Sequence, residues 1–284
     1  PLATVAPRML LSLGPSTYDV TTRPLVMAIL NRTPDSFFDA GTHFAMDGFL
    51  RRAEDVVAEG ADILDVGGVK AGPGPEVGLQ EELDRVLPAV EALVARFDVP
   101  VSVDTWRAAT AAAAFSAGAC IGNDISGFAD PGYLRVCAEA GATVVATHIR
   151  LGPRVPDPDP NYDDVVGTVA QFLAERAARA GAAGIPADRI VVDAGLDLGK
   201  NPEHSLLLLQ QSARLAALGY PLLLSASRKP FLGMVLGLAV GDRRDASLAA
   251  AAVGVVRGCR VVRAHDVRGT RRVCGVLQAI LEAA

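Results

Sequence analysis

The apolar positions of this chain fall into two kinds of run. Leu25 to Leu30, Ile63 to Val66, Val99 to Val103, Cys120 to Gly122, Thr143 to Ala146, Ile190 to Val192, Leu222 to Leu224 and Val261-Val262 are short, dry runs rich in Val, Ile and Leu. Between them lie longer amphipathic stretches: Phe44 to Glu59, Glu81 to Arg96, Arg107 to Ala117, Tyr133 to Ala140, Asp164 to Ala182, Pro202 to Leu218, Asp245 to Arg257 and Val267 to Glu282. A further short helix is expected near Phe231 to Leu238. Strands this apolar are buried on both faces, which calls for helices outside and a closed barrel or a second helix layer behind. Eight strand–helix units in about 260 residues predict a single (β/α)8 TIM barrel. An open doubly wound sheet is the alternative, but its G-x-G-x-x-G turn is missing after the first strand, where Asn31-Arg32-Thr33-Pro34 stand. Residues 1–24 carry Pro1, Pro7, Pro15 and Pro24 around the apolar Met9 to Leu13, and predict an extension with a hairpin at the amino-terminal mouth. No linker-like stretch divides residues 25–284, which read as one barrel domain.

Composition narrows the classes. Half of the 284 residues are hydrophobic but only 5% are aromatic, which suits Ala-rich helices over a parallel core. No apolar run reaches the ~18 residues of a membrane span. Leu208 to Leu224 comes nearest and is broken by Gln210, Gln211 and Arg214. A net charge of −5 without a Lys/Arg run argues against nucleic acid as partner. The first residues lack the charged, apolar and small-residue order of a signal peptide. Cys120, Cys137, Cys259 and Cys274 show no C-x-x-C spacing and read as small hydrophobes in a reducing cytoplasm.

In a barrel the carboxyl ends of the strands converge on one mouth. Asn31, Asp65, Asp104, Asn123, His148, Asp193, Ser227-Arg228-Lys229, Arg263 and His265 stand at those ends. Asp, Asn and Ser also follow strands merely as helix caps. A cap need not be cationic, however, and strands seven and eight end in Arg228, Lys229, Arg263 and His265. These are the strand ends where barrels commonly hold phosphate. Asp104, Asn123 and Asp193 are short groups suited to the edge of a flat, nitrogen-rich ring. The expected ligand is therefore a planar heterocycle with an anionic phosphate group. The four His have no paired spacing, so Mg²⁺ shared with phosphates is a better expectation than zinc. Arg243, Arg244, Arg271 and Arg272 are expected on a solvated face.

From Leu25 onward the chain resembles dihydropteroate synthase. Asn31 to Phe37 is similar to N-x-T-P-D-S-F, Asp62 to Gly68 to D-I-x-D-V-G-G, Ser227 to Gly233 to S-R-K-x-F-L-G, and Arg263 to Val267 to R-x-H-D-V; Val101 to Thr105 and Asn123 to Gly127 also fit. The resemblance implies condensation of a pterin methyl pyrophosphate with p-aminobenzoate and release of pyrophosphate. By motif, Asp104, Asn123, Asp193 and Lys229 would hold the pterin. Arg263 and His265 would hold the pyrophosphate, with Asn31 on its Mg²⁺. Asp104, Lys229, Arg263 and His265 form the implied catalytic centre, and Ser227 and Asp35 join the substrate-binding set. The first two loops would close over the site. The family pairs through late helices, so a homodimer is expected, with Ala246 to Val256 as a candidate face.

The departures from the pattern cluster in the loops. E-S-T-R-P-G is replaced by Val69-Lys70-Ala71-Gly72-Pro73-Gly74, which removes the acid, both hydroxyls and the arginine. D-P-G-I-G-F-G-K is replaced by Asp193 to Lys200, with Asp197 for a glycine and Leu198 for phenylalanine. M-H-M becomes Thr147-His148-Ile149, Arg32 takes an apolar position and Phe38 a small one. Losing one bidentate charged contact costs on the order of 2–3 kcal/mol, roughly a hundredfold in binding or rate. Two or three such losses predict a divergent member with little or no synthase activity that still binds pterin-like, aminobenzoate-like, sulfonamide-like or pyrophosphate ligands. The alternative is an active dihydropteroate synthase.

Overall fold

The computed structural model describes residues 8–32 and 41–283, with side chains in the second span described from residue 46. The chain opens with an antiparallel hairpin, β1 (Leu10–Leu13) and β2 (Ser16–Asp19). Eight parallel strands then close into a barrel: β3 (Leu25–Asn31), β4 (Ile63–Gly67), β5 (Val101–Asp104), β6 (Ile121–Asp124), β7 (Thr143–Thr147), β8 (Ile190–Asp193), β9 (Leu222–Leu224) and β10 (Cys259–Ala264). They pair in sequence order, and β10 closes the ring against β3. The open-sheet alternative is thereby excluded.

The helices between strands are α1 (Gly41–Ala58), α2 (Leu79–Arg96), α3 (Ala108–Ser116), α4 (Tyr133–Glu139), α5 (Val165–Ala182), α6 (Pro202–Gln210), α7 (Ser212–Ala216), α8 (Pro230–Leu236), α9 (Arg244–Val256) and α10 (Val267–Glu282). The expected helix from Pro202 to Leu218 is broken in two at Gln211. Its start is set locally: Asn201 accepts from the His204 amide, His204 returns the bond, and Pro202 occupies the first turn. Asp164 and Asp266 cap α5 and α10 by accepting from the Gly167 and Gly269 amides. Among the described residues no helix is long and apolar enough to cross a membrane.

The strand faces alternate between two cores. Val26, Ala28, Leu64, Val66 and Val103 point outward into a layer shared with α1, α2 and α10. Leu25, Met27, Ile63, Ile121, Val145, Val191, Leu223 and Val261 point inward and meet Leu11, Leu13 and Val20 of the hairpin segment. The hairpin thus plugs the amino-terminal mouth. Ser12 Oγ donates to Asp188 at 2.6 Å and Arg189 donates to the Gly14 carbonyl at 2.8 Å. With one end sealed by apolar packing, the inward polar residues collect at the other.

All four cysteines are free, and Cys137, Cys259 and Cys274 are buried. The expectation for the late arginines needs correction. Arg271 is paired with Asp62 beneath β3, Arg243 donates to the Leu238 and Arg228 carbonyls, and Arg244 is paired with Asp266. Arg271 and Arg243 are thus half-buried bracing residues, whereas Arg244 and Arg272 are exposed as expected.

Candidate functional site

The floor of the open mouth is built around a buried carboxylate, Asp65, in the middle of β4. It is wholly buried, and Ser102 Oγ donates to it at 2.6 Å. Arg263 on β10 donates Nε to Asp65 at 2.6 Å and a terminal nitrogen to Asp104 at 2.8 Å. Asn123 on β6 donates its amide to Asp65 at 3.2 Å. One guanidinium therefore ties β10 to β4 and β5, and one amide adds β6. Burial raises the Asp104 carboxyl to about 7, against the pull of Arg263. The neighbouring carboxylates in turn raise the Arg263 pKa against the effect of burial.

Asp193 closes β8 and is buried, with Oδ1 accepting from the Gly195 amide at 2.8 Å. Burial raises its pKa, and the largest opposing influence is the charge of Lys229. Lys229 stands just before α8 and donates to the Leu196 carbonyl. Burial lowers its pKa, and Asp193 opposes that. Asn31 ends β3 half-buried beside this group, its Oδ1 facing the Gly67–Asp104 edge of the floor. The fold thus gathers Asn31, Asp104, Asn123, Asp193, Lys229 and Arg263 at one end of the barrel.

Ser227 and His265 form a pair on the adjoining side, with Ser227 Oγ 2.9 Å from His265 Nδ1. The His265 carbonyl accepts from Arg52 at 2.7 Å. Burial first, then Arg263, Arg228 and Arg52, lower the His265 pKa to about 4. His265 is therefore neutral at pH 7 and serves this cluster as a hydrogen-bonding group, beside the cations of Arg228, Lys229 and Arg263. Asp35 lies outside the described residues.

Two residues passed over in the sequence hold this end together. Lys200 is almost fully buried, and its Nζ lies 2.8 Å from His148 Nδ1, 3.0 Å from the Leu198 carbonyl and 3.3 Å from the His148 carbonyl. Burial and then Lys229 lower its pKa to about 7, while burial and then Lys200 lower that of His148 to about 3. A lysine directly before a helix N-terminus opposes the helix dipole, and that misplaced charge is the sequence signal that was available. Glu82, 1% exposed, accepts from Thr105 at 2.6 Å and from Arg107, which also donates to the Val77 carbonyl. Nothing in the Glu81-Glu82 pair says which carboxylate turns inward.

The rewritten loops are ordered by backbone contacts. Arg154, in the long loop after β7, donates its amide to Ala71, one guanidinium nitrogen to the Lys70 carbonyl at 3.0 Å and another to Pro75. Asp197 sits at φ +64°, a conformation in which glycine and then Asn or Asp are the favoured residues. Its carboxylate accepts from Ser205 at 3.2 Å and from the Phe231 amide at 3.2 Å. The carboxylate is engaged by α6 and α8.

Residues 27–265 match the family described as "Pterin binding enzyme". The chain belongs to the dihydropteroate synthase family. It is 39% identical over 261 residues to dihydropteroate synthase of Escherichia coli strain K12, covering 92% of this chain and 93% of that one. It is 43% identical over 266 residues to "Inactive dihydropteroate synthase 2" of Mycobacterium leprae, covering 91% of each. The Yersinia pestis dihydropteroate synthase solved as a sulfonamide drug complex superposes with a TM-score of 0.90 at 38% identity, covering 96% of this chain and all of that one. The (β/α)8 barrel and the family expected from the motifs are therefore both established.

Proposed function

We propose that this dihydropteroate synthase homologue binds a pterin-like ring and a pyrophosphate-type anion at the barrel mouth, and condenses them with an arylamine very slowly or not at all. The observation that carries this reading is the contrast between an intact polar floor and a second loop without side-chain donors at Ala71 and Gly72. Asp104, Asn123, Asp193 and Lys229 would read the ring edge, since carboxylates accept ring N–H groups and Lys229 adds a donor. Arg263, Ser227 and neutral His265 would receive the anion.

Among the described residues no three His, Cys, Asp or Glu form a metal cluster. A Mg²⁺ held by the Asn31 amide oxygen, phosphate oxygens and water fits that donor set, because Mg²⁺ commonly keeps most of its ligands from phosphate and solvent. Bound there, it would neutralise the departing pyrophosphate. The protein's own part is to hold the ring against Asp193 and the anion against Arg263, so that charge developing on the leaving group meets fixed donors. What is missing is a second cationic clamp over that leaving group.

Exposed Val253 and Val256 on α9 and Val276 and Ile280 on α10, two helices packed on each other, support a homodimer through this face. The free cysteines suit a reducing cytoplasm. Calorimetric titration with 6-hydroxymethyl-dihydropterin pyrophosphate and with p-aminobenzoate, alongside a pyrophosphate-release assay, tests the reading. Binding of the pterin ligand with turnover at least a hundredfold below the E. coli enzyme is expected. Comparable turnover establishes the active alternative.

A further inference from the structure

The two mouths of the barrel are polarised in opposite senses. Each helix runs back against its strand, so helix amino termini gather at the mouth already described and helix carboxyl termini at the end plugged by the hairpin. A carboxyl terminus carries unsatisfied carbonyls and the negative end of the helix dipole. The plugged end therefore favours a cation.

The hairpin leaves part of that end open. A cleft of about 410 Å³ lies between the β1–β2 turn, the end of α2 and the start of β5. That volume lies within the range of small-molecule pockets. Leu13 and Pro15 form its hairpin wall, and Phe97, Val99 and Pro100, all partly exposed, form the wall opposite. Both α2 and α3 end here, through Val94 in the last turn of α2 and Gly118 just after α3. Cys120, the one cysteine of the four that is not buried, lines the cleft with Tyr18. The hairpin wall is fixed before any ligand arrives. Gly14 turns at φ +56°, its carbonyl accepts from Arg189 at 2.8 Å, and Thr143 donates to the Ser12 carbonyl. Such preorganisation lowers the entropic cost of binding.

Charge decides the ligand class. Among the described residues lining the cleft, Asp98 alone is charged; it is exposed and has no hydrogen-bond or ion-pair partner. Glu91, one helical turn before Val94, adds a second exposed carboxylate on α2. The arginines around the cleft already face acceptors. Arg23 lies over the Tyr18 ring and is paired with Asp62 at 2.7 Å, Arg189 is bound to the Gly14 carbonyl beside Asp188, Arg96 is 3.8 Å from Glu54, and Arg8 is paired with Asp19. We propose that this cleft binds a small organic cation, an amine carried on an apolar ring, with the ring against Phe97, Val99 and Pro100 and the ammonium at Asp98. The proposal stands independently of what the opposite mouth binds.

The test is calorimetric titration of the whole protein with tryptamine and with indole-3-propionate, which carry the same ring on cationic and anionic arms. Tryptamine is expected to bind about tenfold more tightly, since the anion meets repulsion where the cation meets a carboxylate. Asp98→Asn should weaken tryptamine about fivefold, the upper range for an exposed ion pair, and should not weaken indole-3-propionate. Ser16→Trp places a ring in the cleft and should abolish tryptamine binding. Both positions are exposed, so thermal unfolding should be unchanged, and the near-isosteric Asp98→Asn decides the matter if Ser16→Trp does not fold. Absence of tryptamine binding to the wild type, indole-3-propionate binding as tightly, or unchanged tryptamine affinity in either folded variant would overturn the proposal.

Discussion

The floor of the mouth and its rim are built on different physics, and they have diverged differently. On the floor, the buried Asp65 and Asn123 and the mostly buried Asp104 and Arg263 satisfy one another. Removing one member of a buried ion pair strands a charge in a dry environment. The floor is therefore tied to the fold as well as to ligands. On the rim, the second loop is held through its carbonyl groups by Arg154. Main-chain anchoring is indifferent to side-chain identity, so Ser, Thr and Arg can give way to Lys70, Ala71 and Gly72 without loss of the barrel. Chemistry can thus leave the rim while the outline of the binding site remains.

The sharpest way to break this contrast is to attack the floor. Arg263→Gln should destabilise the protein by about 3–5 kcal/mol, the usual cost of orphaning a buried ionic partner. Pyrophosphate binding should be lost with it. Urea unfolding and calorimetry check both, and a stability change below about 1 kcal/mol would show that the floor is no more structural than the rim.

A smaller effect is expected between the two regions, at Lys200. Lys200→Met keeps the stem but removes the bonds to His148 and the Leu198 carbonyl, and should cost on the order of 1–3 kcal/mol. Because the Lys200 pKa lies near 7, the difference between wild type and variant should change across pH 6 to 8. A lysine whose folded pKa is depressed contributes less stability as its ammonium forms. The wild-type advantage should therefore be greater at pH 8 than at pH 6, and paired unfolding curves at the two values decide it.

Smaller still is the effect at His265. Its pKa of about 4 leaves it neutral in the free protein, and a bound anion favours the protonated form. Sulfate keeps one charge state from pH 7 to 5, so its affinity should rise several-fold over that interval as protons are taken up. His265→Gln should flatten the rise, and an unchanged slope in that variant would remove His265 from the anion site.

The same contrast explains what was legible in the sequence. The barrel could be read because strands dry on both faces admit few architectures, and the observed strands extend the apolar runs to take in polar ends such as Asp104, Asp124 and Asp193. The residues at the mouth could be read because a polar group ending an apolar strand is conspicuous. Their partners could not. Nothing in the sequence says that Asp65 receives Arg263 from 198 residues away, or that Glu82 turns inward while Glu81 pairs with Arg85. The neutral state of His265 comes from burial beside three arginines, which only the fold assembles. The rewritten loops were visible as departures, but only the fold brings Ala71, Gly72, Ile149, Asp197 and Leu198 together.

The central claim is that an intact floor is idle because the rim lost its donors. The direct measurement is pyrophosphate release by the triple variant K70S/A71T/G72R, compared with wild type under saturating pterin pyrophosphate and p-aminobenzoate. A Cβ added at Gly72 meets nothing within 4 Å, so a side chain there starts into open space. The account predicts a gain of about a hundredfold, the rate equivalent of one restored bidentate clamp. A folded triple variant that binds the pterin ligand and turns over no faster than wild type would contradict it.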